Sequence, residues 1–173
     1  MRGFFGIGIE NGKSAVNLGT LWRSAHSLGA AFIFTLGERY KRYQASDTTK
    51  AQLHMPMFHW RDCEDMRRSL SEDVSLCGIE MKEGARDLSF YSHPERAIYI
   101  LGAEDHGLSD DTTSRCKHIV LLPGTLCLNV AVAGSIVMYD RLTKDAISSR
   151  RIRQVAALAP KVESSPRSPT PAS

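Results

Sequence analysis

Apolar positions along this chain fall into short continuous runs and into longer stretches with helical spacing, and the two kinds alternate. "RGFFGIGI" (2–9) reads as a first strand, bounded by Asn11-Gly12. After it, Leu18, Leu21, Trp22, Ala25 and Leu28 recur at helical spacing, with Gly29 as a stop signal. "AFIFTL" (31–36) is a buried strand, and residues 37–52 form a polar loop. "HMPMFHW" (54–60) is a weak strand, weakened by Pro56. "DCEDMRRSL" is a helix capped by Asp62, and "SDDTTSRC" (109–116) is another capped by Ser109. Residues 74–81, 96–104 and 117–123 are three more strands. A final apolar helix runs from about Leu128 to Ala146. Such alternation predicts an α/β fold, a mostly parallel sheet with helices on both faces. Ligands of such sheets bind beyond the carboxyl ends of the strands. Two glycine-bearing loops fall there, "LGAEDHG" (101–107) and "LPGTLCLN" (122–129).

Composition narrows the class. The chain has 173 residues, 42% apolar and 24% charged, which suits one folded domain. That domain is expected over residues 1–148, with 149–173 as a basic Pro/Ser-rich disordered tail. No apolar run reaches the ~20 residues of a membrane span, and the first residues lack a signal-peptide pattern. A cytoplasmic location and no membrane contact are expected. Cys63, Cys77, Cys116 and Cys127 form no C-x-x-C pair and the histidines show no ligand spacing around them. They read as reduced thiols in or near the core, with no metal. The net charge of +3 is uneven: from Arg150 onward the chain carries +4, leaving −1 elsewhere. A nucleic-acid surface on the folded part must therefore be a local patch.

Three segments carry candidate chemistry. "GIGIENG" lacks the third glycine of a dinucleotide loop and reads as a strand with close backbone neighbours. In "NLGTLWRSAHSLGA" (17–30), Thr20 and Arg23 share a helix face, with Asn17 at its start. Arg23 is either a surface arginine or a functional group. In "LGAEDHGLSD", Glu104 stands between Gly102 and Gly107: a polar turn, or a loop whose backbone is laid open to a ligand. Asn129 is a polar amide placed where the last apolar helix begins.

Together, N-x-G-T-x-x-R-S-A, L-G-A-E-x-x-G-L and L-P-G-x-x-x-L-N-V-A-x-A resemble, in order, the three motifs of the SpoU/TrmH family of the SPOUT superfamily. These are RNA ribose 2′-O-methyltransferases, and the resemblance runs from the first strand to about Lys144. It implies a C-terminal deep trefoil knot that cradles S-adenosylmethionine, with the helix after Asn129 enclosed on most sides. It implies cofactor binding, mainly by backbone, at Ile79, Glu80, Gly102, Glu104, Gly107, Leu122, Pro123, Leu128 and Asn129. Leu122 and Leu128 would sandwich the adenine. Arg23, Glu104 and Asn129 take the catalytic positions. A guanidinium is a poor base, so orientation and charge stabilisation of the developing alkoxide are the safer roles for Arg23.

Cys127 stands where many relatives have serine, and a thiol is a weak hydrogen-bond donor. Substrate contacts fall to Asn17, Thr20 and Arg23, and to Arg39, Lys41 and Arg42, which interleave with Tyr40 and Tyr43 in a loop that is either an RNA surface or simply solvated. The expected partners are RNA, tRNA favoured over rRNA, and a second copy of the chain in a homodimer. The alternative is a knotted RNA-binding protein without activity.

Overall fold

The computed structural model describes residues 3–37 and 54–158. The loop carrying Arg39, Lys41 and Arg42 lies outside them, as does the chain after Leu158. Among these residues seven strands and four α-helices follow in the order β1 (Phe4–Glu10), α1 (Ala15–Ser27), β2 (Phe32–Leu36), β3 (Met57–Trp60), α2 (Cys63–Arg68), β4 (Ser75–Ile79), β5 (Arg86–Asp87), β6 (Arg96–Leu101), α3 (Asp110–Arg115), β7 (His118–Leu121) and α4 (Val130–Leu158). The strands form one sheet in the order β3-β2-β1-β6-β4-β7-β5. Every pairing between them is parallel.

Alternate residues of the central strands feed two core layers, as parallel sheets covered on both faces require. Ala97, Tyr99 and Leu101 of β6 point to the layer that takes Leu18, Leu21 and Trp22 of α1 and Val137 and Met138 of α4. Ile98 and Ile100 point the other way, to Cys63 and Met66 of α2. Gly6 and Gly8 of β1 lie under Phe32 and Phe34, whose ring carbons come within 2.6 Å of where each Cβ would stand. At Gly8 the nearest atom is the Phe34 backbone oxygen, 2.2 Å from that Cβ position, as the sequence pattern implied, whereas at Gly6 the nearest atoms are those of the Phe32 ring.

Local signals explain the helix ends. Ser14, Asp62 and Ser109 each accept a backbone N–H from their own helix. α1 closes on Gly29 at φ 82, with the Ala30 amide donating to the Ala25 carbonyl at 3.0 Å, a Schellman turn. β3 is an edge strand starting just after Pro56, which fits its weak pattern.

Three expectations change. β5 and the 3-10 turn Leu88–Phe90 were not foreseen, because a two-residue polar strand has no periodicity. α4 begins at Val130 and continues to Leu158, twelve residues past Ala146. Residues 147–158 hold no Pro or Gly and are mostly adequate helix formers, and Pro160 follows the end. Nor is α4 enclosed on most sides. Val130, Ala131, Val137, Met138 and Arg141 are buried, while Val132, Ile136, Tyr139 and Leu142 are exposed. Small residues do let α4 approach closely: a Cβ on Gly134 would stand 2.5 Å from Leu21 Cδ1 and 3.0 Å from Leu101 Cδ1.

Candidate functional site

The loops after β4, β6 and β7 converge on one cavity of ≈ 530 Å³. Ile79, Glu80 and Met81 line it from β4, Gly102 to Gly107 from β6, and Leu122 to Asn129 (except Thr125) from β7, with Val130 and Ala133 of α4 behind. The nine residues expected to face a cofactor, from Ile79 to Asn129, are all in this lining.

The loop after β6 folds back on its own strand. The Gly107 amide donates to the Ala103 carbonyl at 2.9 Å. A Cβ on Gly102 would lie 2.2 Å from the Gly107 carbonyl carbon, so no side chain fits there. Gly107 itself has φ 64, where glycine is at home.

Asn129 is the N-cap of α4. Its Oδ1 accepts from the amides of Ala131 at 3.0 Å and Val132 at 3.4 Å. Its Nδ2 donates to Asn17 Oδ1 at 3.1 Å, and Asn17 Nδ2 donates to Glu104 Oε1. This directed chain joins one residue from each sequence motif. Asn129 is exposed rather than buried, so the cost of an unsatisfied buried amide does not apply to it.

Arg23 and Thr20 are exposed on α1, and neither lines the cavity. Thr20 instead borders an open apolar groove between α1 and α4 with Leu28, Ala131, Val132, Ser135, Ile136 and Tyr139. Among the predicted substrate contacts that lie within the described residues, Asn17 is the one tied to the cavity residues.

The thiols divide. Cys63 and Cys77 are buried, and burial raises both, Cys77 to about 11. Burial likewise pushes Cys116 up to about 12, so these three stay protonated and inert at neutral pH. Cys127 departs from the core expectation: it is exposed in the cavity mouth, its Sγ 3.7 Å from Met81 Sδ. Among the described residues no group of three or more His, Cys, Asp or Glu could hold a metal, and no helix is long and apolar enough to cross a membrane.

A parallel sheet covered on both faces, with a cavity built from glycine-bearing loops at adjacent strand ends, defines a ligand-binding α/β domain. The SpoU rRNA Methylase family profile matches residues 5–139, and the chain belongs to that family. It is 24% identical over 159 residues to a 23S rRNA (uridine(2479)-2'-O)-methyltransferase of Streptomyces viridochromogenes, covering 85% of this chain and 55% of that protein. It is 26% identical over 132 residues to the 23S rRNA (guanosine-2'-O-)-methyltransferase RlmB of Acinetobacter baylyi, covering 72% and 53%. The chain thus spans about half the length of the curated relatives it matches. The crystal structure of the SpoU methyltransferase AviRb from S. viridochromogenes with the cofactor AdoMet superposes with a TM-score of 0.76 at 22% identity, covering 84% of this chain and 59% of that one.

Proposed function

We propose that this chain transfers a methyl group from S-adenosylmethionine to a ribose 2′-hydroxyl of RNA. The observation that carries the reading is the ≈ 530 Å³ cavity in which the second and third motifs meet at adjacent strand ends. Its size is that of a small-molecule pocket, and its place is where open α/β sheets bind ligands. Backbone groups of Ile79, Gly102, Gly107, Leu122 and Pro123 are available to the cofactor, with Leu122 and Leu128 as apolar walls for a purine ring. S-adenosylmethionine supplies an electrophilic methyl group. Asn129 and Glu104, joined through Asn17, hold the polar rim of the site. We infer the same threaded, knotted path for the segment after β7 that the family implies; the fold shared with the AdoMet-bound SpoU structure supports it.

A homodimer completes this reading. Val132, Ile136 and Tyr139 expose apolar surface on α4 beside Thr20. Arg23 lies one turn beyond Thr20, on the same exposed side of α1 and outside its own cavity. A second copy on this face would cover the apolar groove and carry one chain's Arg23 towards the other chain's cavity. There the guanidinium would orient the ribose and stabilise the charge growing on its oxygen.

The test combines calorimetry with S-adenosylmethionine in metal-free buffer and transfer of a labelled methyl to separated 23S rRNA and tRNA. Binding and transfer are expected. Arg23→Ala should bind cofactor within a few-fold of normal and lose at least ~10²-fold in transfer. Mixing Arg23→Ala chains with chains disabled in the 102–107 loop should restore part of the activity. A folded protein that gives no heat removes the enzyme reading. Cofactor binding without transfer to either RNA would leave a knotted RNA-binding protein.

A further inference from the structure

The loop after β6 is gripped from both sides by carboxylates that none of the three motifs contains. In the sheet, β6 lies between β1 and β4. Leu101 pairs in register with Ile9 on one side and Ile79 on the other. The next residue on each strand is therefore Glu10, Gly102 and Glu80, side by side across the sheet. Successive residues alternate faces, so these three share the face opposite Leu101. The middle position must be glycine, because the returning backbone at Gly107 and Leu108 lies on top of it, within 2.6 Å of where a Cβ would be.

The two flanking glutamates take the amides of that returning backbone. Glu80 Oε2 accepts from the Leu108 amide at 2.8 Å, and its Oε1 accepts from the Met81 amide at 2.9 Å. Glu10 Oε2 accepts from the Ser109 amide at 2.8 Å. Its Oε1 takes the hydroxyls of Ser109 and Thr112, both at 2.7 Å. Glu10 is only 6% exposed, and these carboxylate bonds all go to this segment. Glu80 lines the cavity, and its Oε2 stands 2.3 Å from where a Cβ on Gly107 would be. The glycine of the second motif and the glutamate after β4 are thus fitted to each other.

We propose that Glu10 and Glu80 are positioning residues: a pair of carboxylates that clamps consecutive amides, Leu108 and Ser109, and so sets the shape of the 102–107 wall before any ligand arrives. The proposal rests on reading the cavity as the cofactor site. Hydrogen bonds to a carboxylate are stronger than those between neutral groups, which suits the ordering of a loop whose glycines otherwise leave it many conformations. Glu80, which faces the cavity, governs ligand affinity. Glu10, buried beneath α3, governs how firmly the loop and α3 are anchored.

The test uses Glu80→Leu, Glu80→Gln, Glu10→Leu and Glu10→Gln. Amide hydrogen exchange at Leu108 and Ser109 is read without ligand, and affinity for S-adenosylhomocysteine is read by calorimetry. Glu80→Leu should speed exchange at Leu108 and weaken binding, each by about ten-fold or more, the scale set by one charge-assisted hydrogen bond. Glu80→Gln keeps an acceptor oxygen for the Leu108 amide but turns its NH2 towards the Met81 amide, so it should recover part of both effects, a rescue that simple loss of packing would not produce. Glu10→Leu should act first on Ser109 exchange; where it does not fold, Glu10→Gln, which replaces the charge-assisted bond at the Ser109 amide by a weaker neutral one, carries the same comparison. Unchanged exchange in the Glu80 variants and in Glu10→Gln overturns the clamp. If the wild-type protein binds no S-adenosylhomocysteine, the cofactor reading fails, and the exchange measurements still decide the clamp.

Discussion

Asn129 does two jobs, and two substitutions separate them. Its Oδ1 caps α4 through the amides of Ala131 and Val132, while its Nδ2 donates to Asn17 and so orients the Asn17–Glu104 bond. Asn129→Ala removes both. Loss of the cap costs ~1 kcal/mol. Loss of an exposed amide–amide bond adds ~0.5 kcal/mol, since water replaces the partner. The total of roughly 1.5 kcal/mol lowers Tm by about 3–6 °C in a domain of this size. Asn129→Asp keeps the capping oxygen and places a negative charge at a helix N-terminus, worth roughly 0.3–1 kcal/mol. That gain is offset by turning a carboxylate toward Asn17 Oδ1 and Glu104, so Tm should stay within ~2 °C of wild type. Neither variant can preserve the donor direction from Asn129 through Asn17 to Glu104. If that chain holds the reacting ribose, both lose about 10²-fold in methyl transfer, the scale of one polar contact aligned to the transition state. Thermal unfolding and labelled-methyl transfer, run on the three proteins side by side, give both readouts. An Asn129→Asp protein as unstable as Asn129→Ala would refute the cap. One with wild-type turnover would refute the role of the amide donor.

Arg141 is 5% exposed, donates to the carbonyls of Pro94 at 2.7 Å and Glu95 at 2.9 Å and to Tyr99 Oη at 3.0 Å, and lies 5.1 Å from the centre of the Phe5 ring. Arg141→Ala leaves those acceptors unpaired and should cost ~3 kcal/mol in urea unfolding, with cofactor affinity in the remaining folded protein nearly unchanged. His93 bonds Tyr99 Oη at 2.6 Å and Asp140 at 2.8 Å. Burial lowers its affinity for a proton; the Asp140 carboxylate opposes this, and Arg141 and Lys144 of α4 reinforce it. The unfolded chain therefore binds this proton more readily, so the stability it contributes is complete above the unfolded value near 6.5 and is lost as pH falls below it. Unfolding midpoints measured from pH 7.5 down to 5 should show that decline, and His93→Gln should flatten it.

Much of the architecture was legible because the local signals agree with the tertiary ones. Asp62 and Ser109 cap where their side chains predict, and Gly29 ends α1 by the turn its conformation permits. The short β5 was not legible: Arg86 and Asp87 join the sheet only because β7 offers an edge, a fact of tertiary structure. The residues that line the cavity were picked out from the second and third motifs and the end of β4, whereas Glu10 and Glu80 were not seen as a pair. Each looks like the polar residue that ends a strand. What distinguishes them is their common register with Gly102, which needs the strand order β1-β6-β4.

α4 shows where periodicity stops being informative. Gly134, Val137, Met138 and Arg141 follow one another at i, i+3, i+4 and i+7, the stripe that faces the sheet. Val132, Ile136 and Tyr139 make a second apolar stripe, which is exposed. A sequence with two apolar faces reads as a helix enclosed by its own chain, and nothing in the pattern distinguishes that from a helix buried on one side by its sheet and on the other by a second molecule. The charge at Arg141 was the available clue to which stripe is internal. A guanidinium at a core position requires fixed acceptors, and here the carbonyls of Pro94 and Glu95, 47 and 46 residues earlier, and Tyr99 Oη of β6 supply them. The stripe containing Arg141 is therefore tied to this chain, whereas the stripe of Val132, Ile136 and Tyr139 is the exposed one on which the proposed second copy would sit.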